Sequence, residues 1–412
     1  MLRVLQLSEE RSTSSTASST PDRYASAYRR DAGVIYLDAN ATTPPLPTVV
    51  DAVSHAMRSI VGNPASAHAS GASARRAIEQ VRDDVAELVG VPMPESVFFV
   101  SGGTEANNTV ISSFVRQYPS VTFLVAPVEH SSIIEPLLNW CPDRISWLAV
   151  DSCGRIDPHS AQQKAPQAGG PVVALLQGAN SETGVIQPVA EIAEAIRSVR
   201  QDAFIHLDAA QAVGRIRTDG WSSSVDSISF SGHKIHGPHG TGALVVNEHT
   251  SLRPFILGGG QEHGFRSGTP NVSGIVGLGI AARERIKSFE EANGHMLKLR
   301  TKFEEAVTCA LGQSVRINGA EALRVSNTSN LQFCSIDGMQ LLAHLDAAGV
   351  MASQGSACSS GRPEPSRVLR AMGLSEGQAF SSLRFSFSVL NTEEDAVVAA
   401  DIIASVVKRL TQ

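Results

Sequence analysis

The sequence predicts an α/β protein: a large, mostly parallel seven-stranded sheet covered by helices, followed by a smaller α+β unit. Two observations carry this. From Val34 onward, short β-branched runs alternate with stretches of helical spacing, the pattern of strands joined by crossover helices. Beyond a long helical segment at 272–310 that alternation stops, and isolated strands and helices follow. The expected layout is an extension at 1–33, a large unit at 34–270, a connecting helix at 271–310 and a small unit at 311–412. Residues 34–50 are a candidate to pack on the small unit.

The elements follow in order. Ala74, Ile78, Val81, Val85 and Leu88 recur at helical spacing, and Gly90 stops that helix. Strands of the large sheet are predicted at 96–100, 121–125, 145–150, 172–176, 204–207, 226–230 and 242–246. A helix at 189–200 lies between two of them. In the small unit the pattern gives a strand at 326–333, a helix at 338–348, a strand at 382–387 and a closing helix at 392–410.

Composition narrows the class. The chain has 412 residues, 42% of them apolar, and a net charge of −6, enough for one large unit and one small one. The mild acidity gives no electrostatic case for nucleic acid or an anionic membrane. No apolar run reaches the ~20 residues of a membrane span. The five cysteines are widely spaced and form no CxxC pair, which argues against zinc and against a disulfide framework. A reducing, cytoplasmic compartment fits. Residues 12–20 are rich in Ser and Thr and read as part of a disordered extension. Glu9, Glu10, Asp22 and Asp31 argue against a transit peptide, and no apolar core marks a secretory signal.

Four segments carry chemistry. In Ser231-Gly232-His233-Lys234, a strand runs into a polar turn bearing one lysine. An ammonium at the mouth of a sheet is costly to bury without a task, and one task is a Schiff base with an aldehyde cofactor. Ser231 and His233 suit a phosphate beside it, although the segment alone fits a solvated turn equally well. In Ser101-Gly102-Gly103-Thr104, a glycine pair between strand and helix lets backbone N–H groups approach an anion. An ordinary turn with a capping threonine reads the same way. Asp208 ends an apolar strand, where a carboxylate needs a partner such as a pyridinium N–H, or serves as a helix cap. Gln211, three residues on, reaches for a ring hydroxyl. His130 follows a strand and suits ring stacking and proton transfer.

Taken together, the chain resembles the class V aminotransferase family, pyridoxal 5'-phosphate enzymes of aspartate aminotransferase fold (fold type I). Within it, the chain resembles the NifS/IscS group of cysteine desulfurases. The segments that carry the resemblance run in family order from Tyr36-Leu-Asp-Ala-Asn40 and Gly62-Asn-Pro64 to Ser353-Gln-Gly-Ser-Ala-Cys358 and Ser381-Ser-Leu-Arg384. The resemblance implies that Lys234 is the Schiff-base lysine and that His130 stacks on the ring and moves protons. It implies Asp208, Gln211 and Asn180 as ring partners, and Gly103, Thr104, Ser231 and His233 as the phosphate cradle. Thr269 matches a residue that reaches the phosphate of a neighbouring subunit, which implies a homodimer. Asn40 and Arg384 match the groups that hold the carboxylate of L-cysteine, a bidentate task suited to guanidinium.

Cys358 lies in a Gly/Ser-rich run that cannot pack a core and reads as an exposed loop. Its implied task is to attack the substrate sulfur, hold it as a persulfide and deliver it to an acceptor such as an iron–sulfur scaffold. Cys141, Cys309 and Cys334 read as buried structural thiols. The chain departs from the family where Ser181 replaces an asparagine, which leaves open whether Asn180 or Ser181 meets the cofactor. Selenocysteine lyase, another class V enzyme such as a transaminase or epimerase and, last, a non-catalytic binding or scaffold relative are the alternatives.

Overall fold

The computed structural model describes residues 33–218, 220–247, 252–355 and 364–411. The predicted extension, apart from Gly33, and Cys358 lie outside the described residues.

Seven strands form the large sheet: β2 (Val97–Val100), β3 (Thr122–Val125), β4 (Ile145–Trp147), β5 (Val172–Gln177), β6 (Phe204–Asp208), β7 (Ser227–Ser231) and β8 (Gly242–Val246). Their order is β2-β8-β7-β6-β5-β3-β4. β8 alone runs against its neighbours β2 and β7, and every other pairing is parallel. β5, β6, β7 and β8 are buried at every position. Helices cover both faces of such a sheet, so its central strands read as continuous apolar runs rather than alternating ones. That is why β5 to β8 were legible in the sequence.

A separate antiparallel sheet has the order β12 (Ser382–Ser386), β10 (Thr328–Phe333), β9 (Val315–Ile317). It packs through Phe333, Phe385 and Phe387 onto Phe303 of the helix Phe289–Leu311, with ring centroids of the Phe303 pairs 5.1 and 5.4 Å apart. The closing helix Glu393–Leu410 is capped by Thr392, whose side chain accepts from the Asp395 N–H while Asp395 reaches back.

Three short strands were not legible, β9 of the small sheet and two strands of two residues each. β1 (Ile35–Tyr36) pairs in parallel with β11 (Val350–Met351). Two residues cannot show a period. The pairing fixes the first described segment against the small sheet, where Asp38 bridges Ser386, and this delivers Asp38 and Asn40 to the centre of the molecule. The long helical segment expected at 272–310 is two helices, Val272–Lys287 and Phe289–Leu311. Ser288 breaks it, with its hydroxyl donating to the Glu284 carbonyl at 2.7 Å.

The thiols need a correction. Cys141 is buried, but Cys309 is exposed and Cys334 half-buried. Cys309 occupies the solvent side of an amphipathic helix, a position that residue type alone does not reveal. Among the described residues no helix is long and apolar enough to cross a membrane.

Candidate active site

β2, β3, β5, β6 and β7 run in the same direction, and their carboxyl ends open on one side of the sheet, where ligands of such sheets bind. A cavity of about 230 Å³ lies there. β2 contributes Gly103 and Thr104, β3 His130, β5 Gln177 and Ser181, β6 Asp208 and Gln211, and β7 Ser231, His233 and Lys234. Asn40 enters from the segment after β1, and Arg384 from β12. Eleven residues that the sequence singled out (Asn40, Gly103, Thr104, His130, Ser181, Asp208, Gln211, Ser231, His233, Lys234 and Arg384) therefore share one cavity.

Lys234 Nζ donates to the carbonyls of Asn40 at 2.5 Å and Ala41 at 2.7 Å. The Asn40 carbonyl also accepts from Gln211 Nε2 at 3.0 Å, and Gln211 Oε1 accepts from Arg215 at 2.8 Å. The lysine is thus fixed by the segment that β1 anchors. Gly103 opens the helix Gly103–Gln117, and its N–H donates to Ser231 Oγ at 2.8 Å. A Cβ on Gly103 would come within 3.2 Å of that oxygen, so the Ser231 hydroxyl would have to give by a few tenths of an ångström. His233 Nδ1 pairs with Thr42 Oγ1 at 3.1 Å, and burial and the Lys234 charge push its pKa down to about 4.

Asp208 ends β6. Its Oδ1 accepts from the Ala210 N–H at 3.0 Å and its Oδ2 from Asn107 Nδ2 at 2.8 Å. His130 caps the helix Ser131–Trp140, and its Nδ1 accepts the Ser132 N–H at 3.1 Å. Because that nitrogen is an acceptor, the neutral ring carries its proton on Nε2. Burial holds the His130 pKa below its ordinary value, against the pull of Asp208, with Lys234, Arg367 and Arg384 also lowering it.

Arg384 is 2% exposed. Its fork donates to Asp38 Oδ1 at 2.6 Å and to the Ser181 carbonyl at 3.1 Å, while its Nε has no partner. Asn40 Nδ2 donates to Ser181 O and Thr328 Oγ1, and its Oδ1 accepts from Asn327.

Two predicted residues lie elsewhere. Asn180 is buried but does not line the cavity: its Oδ1 accepts from Glu182 N and Thr183 N, and its Nδ2 donates to the Val128 carbonyl. Its amide is consumed in holding the turn after β5, and Ser181 faces the cavity instead. Thr269 is exposed and outside its own chain's cavity. Cys358 is not among the described residues. Gly355 and Glu364, the described residues that bracket it, both line a second cavity of about 450 Å³ that shares His130 and Ser181 with the first.

Sequence reasoning missed Glu129, Asn107, His206 and Asp38. His206 is a polar residue inside an apolar run, which is a signal, but the other three have polar neighbours and partners distant in sequence. Glu129 is 1% exposed, with Oε1 accepting from the Gln177 N–H and Oε2 unpartnered. Burial, and then the charge of Asp208, push its pKa well above the ordinary 4.5. A carboxyl with a raised folded-state pKa contributes stability below its unfolded value and loses it as pH rises towards the folded one. Glu129→Gln keeps the shape and removes the titration. Its melting temperature, relative to wild type, is expected to climb as the pH rises above the ordinary carboxylate range. A pH-independent difference contradicts the assignment.

Comparison with known proteins agrees with this geometry. The family Aminotransferase class-V matches residues 35–397. The chain is 37% identical over 384 residues to a cysteine desulfurase of Nostoc sp., covering 92% of this chain and 94% of that protein. It is 35% identical over 380 residues to the cysteine desulfurase IscS of Dictyoglomus turgidum, covering 91% and 95%. A solved NifS-like protein matches with a TM-score of 0.84 at 30% identity, covering 92% of this chain and 100% of that one. The chain therefore belongs to the class V aminotransferase family and, within it, to the NifS/IscS-like cysteine desulfurases.

Proposed function

We propose that this protein takes sulfur from L-cysteine with the help of pyridoxal 5'-phosphate, releasing L-alanine and leaving the sulfur on Cys358 as a persulfide. The observation that carries this reading is the convergence of Lys234, Asp208, His130 and Arg384 on one cavity. The donor set fits the cofactor chemically. A primary amine faces a carboxylate across a small cavity, and a glycine-opened helix N-terminus supplies N–H groups for a phosphate. A Cβ at Gly103 would crowd that cradle. When bound, the cofactor supplies an aldehyde and an electron-withdrawing ring.

The residues divide the work. Lys234 would hold the cofactor through its amine, and that amine would serve as a base beside the substrate. Asp208 would accept from the ring nitrogen, and Gln211 and Ser181 would lie on the side of the ring hydroxyl. Gly103, Thr104, Ser231 and His233 hold the phosphate. His130, with its proton on Nε2, presents a donor to the cavity. Arg384, which lines the cavity, would bind the substrate carboxylate through its guanidinium, with Asn40 beside it. The Cys358 thiolate then bonds to the substrate sulfur as the carbon–sulfur bond breaks, and the carbon fragment gains a proton to end as alanine. Cysteine plus thiol becomes alanine plus persulfide, with no outside oxidant.

Three more statements belong to this reading. Thr269, exposed and outside its own cavity, is proposed to complete the phosphate cradle of a second copy in a homodimer. The persulfide is proposed to serve a sulfur acceptor such as an iron–sulfur scaffold. Four described cysteines unpaired by disulfides suit a reducing, cytoplasmic setting. The layout of units at 34–270 and 311–412 is retained as part of the same proposal.

Alanine formation from L-cysteine by the purified, cofactor-loaded protein tests the reading, and Arg384→Lys sharpens it. A lysine cannot reproduce the fork that joins Asp38 to a carboxylate. The KM for L-cysteine is expected to rise about 10- to 100-fold, the cost of a charge-assisted hydrogen bond. The absorption of the bound cofactor should not change. An unaltered KM removes Arg384 from the substrate site.

A further inference from the structure

Behind the cavity lies a buried polar array that the reaction as written does not use. Asn107, on the inner face of the helix Gly103–Gln117, is fully buried and does not line the cavity. Its Nδ2 donates to Asp208 Oδ2 at 2.8 Å and to Ser132 Oγ at 2.9 Å. Its Oδ1 meets Ser229 Oγ at 2.5 Å and His206 Nε2 at 2.9 Å. An amide has two N–H donors and two acceptor lone pairs, and all four are used.

The polarity of the array follows from its end. A carboxylate only accepts, so the Asn107 nitrogen must face Asp208 and its oxygen must face His206. His206 Nε2 must then carry a proton, and His206 Nδ1, 2.7 Å from Ser227 Oγ, accepts from that hydroxyl. His206 is wholly buried, and desolvation pushes its pKa down to about 4, so the ring is neutral and a single tautomer satisfies every partner. Flipping Asn107 would set its oxygen against the Asp208 carboxylate and its nitrogen against the His206 N–H. The Ser132 hydroxyl that Asn107 supports lies 2.8 Å from His130 Nδ1. The groups that act electrostatically on or with Asp208 from the neighbouring elements are Glu129, His130 and His206.

We propose that Asn107 is a positioning residue that locks the Asp208 carboxylate and, through Ser132, the His130 ring into one frame, and that His206 holds Asn107 in the orientation that does so. Each Asp208 oxygen is already held by one donor, from Ala210 or Asn107, so the carboxylate cannot rotate and keeps its remaining lone pairs for the cavity. The proposal rests on the assignment of Asp208 to the ring nitrogen of pyridoxal 5'-phosphate.

The test uses Asn107→Leu, similar in volume but unable to donate. Two quantities are measured: the dissociation constant of pyridoxal 5'-phosphate from the apoprotein, by fluorescence titration, and the pH midpoint of the bound cofactor's absorption. Binding is expected to weaken about 10- to 100-fold, the loss of one hydrogen bond to a charged group. The midpoint is expected to rise by about one unit, because a ring nitrogen less firmly protonated withdraws fewer electrons. His206→Phe should move the midpoint in the same direction, and His206→Gln, which keeps a donor, should restore it. A folded Asn107→Leu protein with the wild-type constant and midpoint overturns the role of Asn107. A wild-type midpoint in His206→Phe overturns that of His206. If the leucine variant does not fold, Asn107→Ala decides by the same readouts. Failure of the wild-type protein to bind the cofactor would instead refute the function proposed above.

Discussion

Lys234→Ala is expected to lose turnover of L-cysteine by at least about 10³-fold, as removal of a group that acts both covalently and as a base requires. The structure explains why no neighbour can substitute. Among the described residues Lys234 is the only lysine lining the cavity, and its amine is steered there by the carbonyls of Asn40 and Ala41. The variant should still take up pyridoxal 5'-phosphate through Asp208 and the phosphate cradle, but without a covalent bond. Borohydride treatment should fix the cofactor to the Lys234 peptide of the wild-type protein and to no peptide of the variant. Cofactor fixed elsewhere, or turnover within tenfold of wild type, would contradict the assignment of Lys234. Stability should change little. The side chain is only part-buried, and its two carbonyl partners lie beside a cavity that water enters.

How much of this was readable in the chain depends on the range of the interactions. Strands β5 to β8 of the large sheet were legible because they are buried on both faces and their apolar runs are continuous. Lys234, Asp208, His130 and Gly103 were legible because each follows a strand directly, and the parallel topology brings those ends together. What was hidden depends on partners far apart in sequence. Asp38 meets Arg384 across 346 residues, and Asn107 meets Asp208 across 101. No local period encodes such a pair. Asn180 shows the opposite failure. Its position beside the cavity was legible, but the direction of its side chain depends on the turn it closes with Glu182 and Thr183. Ser288 divides a helix that spacing alone runs together, because the pattern reports burial and not the local competition of a hydroxyl for a carbonyl.

The same logic places weight on Cys358, for which the chain offers the strongest chemical argument and the structure only its flanks. Gly355 and Glu364 line the cavity that adjoins the Lys234 site. Three residues of extended chain from Gly355 span at most about 10 Å. The Cys358 thiol is proposed to form the new sulfur–sulfur bond. Without it the carbon–sulfur bond has no acceptor for its sulfur, so loss of Cys358 should stop both products together while leaving the cofactor in place.

The most direct measurement is one turnover without added reductant. The cofactor-loaded protein is mixed with L-cysteine, alanine is counted per subunit, and the cysteine peptides are weighed. The account predicts close to one alanine per subunit and one extra sulfur atom on the peptide bearing Cys358. It predicts neither product in Cys358→Ala, with the cofactor absorption unchanged. Alanine formed by Cys358→Ala at the wild-type rate, or the extra sulfur on Cys141, Cys153, Cys309 or Cys334, would contradict it.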